Sequence, residues 1–221
     1  MHAYPDDLRT GGKEVAELFS RSHVAFVGTG HTHYNELVNH ESVIYAATRS
    51  TGEVEEGSPG FSLGVLDGSV VGWHFKPVDV KWPLVMISSP SDCRLVTDPF
   101  AMDQVPAGTI HVRAKVFGVA IEDVTARVDR GPPVVMVEDA ACVWRGLIPD
   151  VADGLCVLAV EATTADGQLL HDTIRVLVRS KNAKAREVDH SLHQQFEPLG
   201  AWPERGLLGT QLGPNKNGRK W

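Results

Sequence analysis

The sequence predicts an α/β half-domain, then an all-β immunoglobulin-like sandwich, then an extended C-terminal tail. Three observations predict it. Residues 13–21 carry Val15, Leu18 and Phe19 at i, i+3 and i+4, the apolar stripe of an amphipathic helix. That helix feeds the uninterrupted apolar run Val24-Ala25-Phe26-Val27-Gly28, which reads as a strand buried on both faces, as in a layered α/β sheet. From Leu84 to Val178 the pattern changes to short alternating segments separated by turns, the signature of a sandwich.

In chain order, residues 43–47, 61–66 and 70–75 read as successive strands, with Asp67-Gly68 a hairpin signal between the last two. Pro77 and Trp82-Pro83 mark a boundary, so residues 1–83 form the first domain. In residues 110–118, Ile110, Val112, Ala114 and Val116 alternate with His111, Arg113, Lys115 and Phe117. Segments 121–128, 134–137, 141–144, 155–162 and 169–178 complete a second domain, residues 84–179, with Asp166-Gly167 as another turn signal. Residues 180–221 form the tail. It is rich in glycine and proline from Leu199 on, yet Trp202, Leu207, Leu208 and Trp221 need cover, which predicts an extended segment packed back on the body.

Composition bounds the function. A net charge of −7 speaks against a partner such as duplex nucleic acid. No apolar run reaches the roughly 18 residues of a membrane helix. Cys93, Cys142 and Cys156 are odd in number and widely spaced, which suggests reduced thiols and a cytoplasmic location, with a Cys142–Cys156 bridge as the alternative.

The chemistry-bearing motif is Gly30-His31-Thr32-His33, at the end of the apolar strand. If the backbone stays extended, both imidazoles point to one face about 6–7 Å apart at Cα. Two such ligands could each take one ion of a pair roughly 3.5–4 Å apart. Gly28 and Gly30 would leave the backbone clear for ions and substrate. The alternative is a pair of ordinary surface or satisfied core histidines.

Met1 to Leu8, a helix, a strand and then Gly30-His31-Thr32-His33-Tyr34-Asn35-Glu36-Leu37 together resemble the C-terminal part of a calcineurin-like metallophosphoesterase catalytic domain. The likeness continues through residues 44–52 and into residues 209–218. It implies that His2 and His31 bind one divalent ion and His33 the other, the two ions being manganese, iron or zinc. The family's Asp-x-His, Gly-Asp-x-x-Asp and Gly-Asn-His motifs do not occur here. The resemblance therefore implies a truncated form of a metal-dependent phosphoesterase, incomplete and inactive alone, whose substrate is a phosphomonoester or phosphodiester. Two alternatives are a non-catalytic binding protein that uses the sandwich, and a site completed in trans by a partner chain. An open half-sheet edge would favour a homo-oligomer.

Other polar residues have weaker signals. Asn35 could touch a phosphate oxygen or cap the turn after the histidines. Arg49 follows a strand and carries a planar guanidinium suited to bidentate phosphate contact; the alternative is a surface ion pair. Glu53, Glu55 and Glu56 read as a solvated acidic loop. His190 and His193 stand at i, i+3 without neighbouring acids or cysteines.

Overall fold

The computed structural model describes residues 1–49, 51, 56–96, 105–118, 120–179 and 198–209. They divide into two compact units. The first takes residues 1–64, 73–80 and 198–209; the second takes residues 65–72 and 81–179.

The first unit holds the one α-helix among the described residues, α1 (Gly12–Arg21), and the strands β1 (Phe26–Thr29), β2 (Glu36–His40) and β3 (Val43–Ala47). Gly11 caps the helix at φ +76°, a left-handed conformation that glycine adopts without strain. The sheet order is β1-β3-β2, with β1 parallel to β3 and β2 antiparallel to it. All five residues of the central strand β3 are buried, as its apolar run requires. Tyr4, Val27, Val38, Val43, Tyr45 and Ala47 form the core, with Phe19 and Val24 packed against it. The C-terminal segment lies on the β2 edge: Pro198 bridges to Val38, and the Leu199 N–H donates to the Leu37 carbonyl at 2.8 Å. Trp202 and Leu207 are buried there, as their apolar surface demands, while Leu208 is exposed.

Strands β4 (Gly60–Asp67) and β5 (Val70–Pro77) form a two-stranded sheet, joined through Gly68 at φ +63° and Ser69. The second unit holds two larger sheets. Its strands are β6 (Leu84–Ser89), β7 (Val105–Pro106), β8 (Gly108–Phe117), β9 (Ile121–Val128), β10 (Val134–Val135), β11 (Val137–Ala140), β12 (Val143–Val151), β13 (Gly154–Thr164) and β14 (Leu169–Arg179). One sheet runs β10-β9-β13-β14-β7 and the other β11-β12-β8-β6. Ile110, Val112, Ala114 and Val116 of β8 are buried, like Leu158, Val160 and Ala162 of β13 and Ile174, Val176 and Val178 of β14. Asp172 is buried among them, and one of its carboxylate oxygens accepts the Ile87 N–H at 2.7 Å, tying β14 of one sheet to β6 of the other.

This architecture corrects the expected fold class. The chain is β-rich, with four sheets and a single ten-residue α-helix among the described residues, and residues 1–83 are not an α/β half-domain. Periodicity identifies a helix and a strand but not the layer they belong to, and β1 is buried only at Val27 and Thr29. Here the helix buries only Ala16, and Leu18 of the expected apolar stripe is 53% exposed. The metallophosphoesterase resemblance falls with the α/β layer it presupposed. No helix among the described residues is long and apolar enough to cross a membrane. The three cysteines are unpaired.

Candidate functional site

The geometry around the histidine motif starts from the end of β1. The Met1 ammonium donates to the Gly28 carbonyl at 3.1 Å, and the Gly30 N–H donates to the His2 carbonyl at 2.8 Å. These two bonds lay the first residues of the chain beside the strand and bring the His2 ring over Gly30. The chain then turns sharply. Thr32 N–H donates back to the Gly30 carbonyl at 2.7 Å, with His31 between them at φ +64°. His33 follows at φ +61°. Histidine enters the left-handed region more readily than most residues, and Glu41 and Ser42 do so as well, but backbone held there is strained, and strain concentrates at functional sites.

The turn brings His31 to His2. Nδ1 of His31 lies 3.2 Å from Nε2 of His2, with the rings edge to face and their centroids 5.0 Å apart. Both residues are exposed. At this distance the pair can share one proton as an N–H···N bond, or turn both nitrogens onto one cation.

This arrangement corrects the expected ligand geometry. The backbone after β1 is not extended, so His31 and His33 are not set on one face by strand alternation. Among the described residues, no group of three or more His, Cys, Asp or Glu side chains stands ready to hold a metal ion. The pair His2–His31 is the part of the expected set that the fold gathers.

Asn35 and Arg49 are joined to each other instead. The Asn35 side-chain oxygen accepts the Arg49 N–H at 2.9 Å, and its amide nitrogen donates to the Gly206 carbonyl at 2.9 Å. The Asn35 N–H donates to the Glu56 carboxylate at 2.9 Å. The Arg49 guanidinium lies 3.9 Å from the centre of the Phe75 ring, closed in by Gly57 at φ +55°. Burial lowers its pKa against the opposing pull of Glu56 and Asp79. These contacts tie together the loop after β1, the end of β3, strand β5 and the C-terminal segment. Glu56, expected in a solvated loop, is buried. Glu53, Glu55, His190, His193, Trp221 and most of residues 209–218 lie outside the described residues.

Sequence reasoning missed a group of acids in the same unit. Glu36 opens β2 and is 4% exposed. Desolvation raises its carboxyl to about 8, with the charges of Asp6, Asp7 and Glu56 adding to the effect and the neighbouring Tyr4 hydroxyl opposing it. Desolvation and the charge of Asp7 raise Asp6 to about 6. The only signal was an acidic residue directly before the apolar pair Leu37-Val38.

No protein-family model matches the sequence, and no curated protein sequence matches it. Solved structures resemble it at low scores. A Cellulomonas fimi endo-β-1,4-mannanase double mutant is 26% identical over 43% of this chain and 18% of its own, at a TM-score of 0.30. A modular endo-β-1,4-mannanase from the same organism is 18% identical over 75% of this chain and 42% of its own, at 0.32. An engineered protein is 18% identical over 80% of this chain and 47% of its own, at 0.35. The chain thus spans less than half the length of each. Scores this low do not define a common fold.

Proposed function

We propose that the His2–His31 pair holds a divalent metal ion and that the protein is a metal-dependent hydrolase acting on a phosphate ester. The observation that carries this reading is the 3.2 Å separation of the two ring nitrogens. Two nitrogens on a tetrahedral ion, each bonded at about 2.0–2.1 Å, stand roughly 3.3 Å apart. The pair therefore needs little movement to chelate one ion. The left-handed backbone at His31 supports the same reading, since the fold tolerates strain that delivers this imidazole to its partner.

When bound, such an ion supplies Lewis-acid chemistry to an ester and to water. The chain's own contribution is to hold and aim it. Two neutral imidazoles leave the double positive charge unoffset, which suits an anionic substrate such as a phosphate ester over a neutral one. The Asn35 brace fixes the loop that carries His31 to the end of β3 and to the C-terminal segment.

The test is calorimetric titration with zinc, followed by hydrolysis of bis(p-nitrophenyl) phosphate with zinc or manganese present. The wild type should bind one ion, and His2→Ala and His31→Ala should each weaken binding at least about tenfold and abolish metal-dependent hydrolysis. Unchanged zinc affinity in both variants would refute the metal site. Metal binding without hydrolysis would refute the hydrolase and leave a metal-binding protein.

A further inference from the structure

The second unit carries a groove that the histidine pair does not touch. It lies on the outward face of the β11-β12-β8-β6 sheet and has a volume of about 610 Å³. Volumes of roughly 300–1,000 Å³ are typical of small-molecule sites. Strand register sets its floor. Val137 of β11 stands opposite Arg145 of β12, Arg145 opposite Arg113 of β8, and Arg113 opposite Ser89 of β6. One row further along, Leu147 stands opposite His111. The intervening residues Ile110, Val112, Ala114 and Ile148 face inward and are buried, so the row belongs to the open face.

Two features of this row are not what folding alone would select. The first is a pair of guanidiniums directly opposite each other on adjacent strands, an arrangement that destabilises a sheet by like-charge repulsion. Each is steadied by one acid: Arg145 pairs with Asp139 at 3.0 Å and Arg113 with Asp67. Even so paired, the two arginine side chains stay 64% and 48% exposed, and a guanidinium has five donors to place. The second is an apolar wall beside them. Val135, Val137 and Leu147 are 66%, 59% and 53% exposed, all within the same groove.

We propose that this groove binds a small amphipathic carboxylate, its acid group between Arg113 and Arg145 and its hydrocarbon body along Val135, Val137 and Leu147. A carboxylate shared by both guanidiniums meets the fork geometry of each and offsets their mutual repulsion. A chain of several carbons covers side chains that water would otherwise face. Ser89 and His111 flank the head-group position. The proposal is independent of the metal reading, because its groove and its residues lie in the other unit.

Octanoate is the probe, acetate the control for the head group alone, and binding is read by heteronuclear NMR shifts. Octanoate should saturate with a Kd on the order of 1 mM or tighter, perturbing the amides of residues 134–147, while acetate should not saturate in that range. Arg113→Gln with Arg145→Gln should weaken octanoate at least about tenfold, and Leu147→Ser should weaken it without creating acetate binding. Arg113→Lys with Arg145→Lys keeps the charge of the sheet, so it tests the fork even if the glutamine pair fails to fold; it should weaken octanoate as well. Octanoate that does not saturate, that binds the lysine pair as tightly as wild type, or that acetate matches in affinity would overturn the proposal.

Discussion

Replacing Glu36 by glutamine should make the protein more stable in mild base and remove most of its loss of stability between pH 5 and 8. Glu36 is buried at the start of β2, and one of its carboxylate oxygens has no hydrogen-bond partner. Burial, first, and then the charges of Asp6, Asp7 and Glu56 raise its carboxyl from 4.5 to about 8 in the folded chain. The sign follows from proton counting. Between these two values the folded state holds a proton that the unfolded state has released, so stability falls as pH rises. The carboxyl contributes nothing unfavourable below about pH 4.5, and its ionisation opposes the fold progressively up to about pH 8. At about 1.4 kcal/mol per pH unit the full interval corresponds to about 5 kcal/mol, and relaxation around a buried carboxylate reduces this to an expected 2–4 kcal/mol, roughly. Glutamine has the same shape and never ionises. Urea unfolding at pH 5 and pH 8 measures the effect: the two proteins should be within about 1 kcal/mol at the lower pH, and the variant about 2–4 kcal/mol more stable at the higher. Asp6, raised to about 6, leaves a smaller decline confined to lower pH. A variant that declines from pH 5 to 8 as steeply as the wild type would refute the reasoning.

Two other substitutions test contacts that hold each unit together. Asp172→Ala removes the buried acceptor of the Ile87 N–H and should cost about 2–3 kcal/mol, measured as a lowered urea midpoint with unchanged slope. Asn35→Ala breaks the bonds to the Arg49 N–H and the Gly206 carbonyl and should cost about 1–3 kcal/mol. It should also speed proteolysis within residues 198–209 before the rest of the chain, which gel analysis of a limited digest would show.

Elements whose residues repeat with one period could be read in the sequence. Ile110, Val112, Ala114 and Val116 alternate with polar or half-buried residues, and β8 occupies and buries those positions; the Asp67-Gly68 signal does sit at the β4–β5 turn. What was lost has physical causes. Strand β2 was missed because Glu36, Asn39 and His40 break the apolar pattern, although Glu36 and His40 are buried. Strand β12 was expected to stop at Trp144 and runs to Val151, through Gly146 and Pro149, residues that ordinarily interrupt strands. A β-carbon at Gly146 would stand 3.0 Å from the Met136 side chain, which would have to shift to admit it. The candidate site was legible as residue types and not as geometry. The histidines were visible, but their approach depends on a left-handed turn, and nothing in Gly-His-Thr-His announces one at histidine. The acids around Glu36 were invisible for a related reason: they meet through the fold, from residues 6, 7, 36 and 56.

That turn permits a test in which the sign of an effect, not its size, is decisive. Glycine is ordinarily less favourable than alanine by about 0.5–1 kcal/mol, because it surrenders more freedom on folding. At φ +64° the order should reverse, since alanine keeps a β-carbon that crowds the left-handed backbone and glycine does not. His31→Gly should therefore be more stable than His31→Ala by about 1 kcal/mol in urea unfolding, while both lose the imidazole that approaches His2. Wild type, in this account, accepts the strain of an imidazole at a glycine-like position in order to place a nitrogen 3.2 Å from its partner. If the alanine variant proves as stable as the glycine variant, or more so, His31 is not held in a strained conformation. The backbone argument for a functional histidine pair then fails, and the nitrogen separation alone must support it.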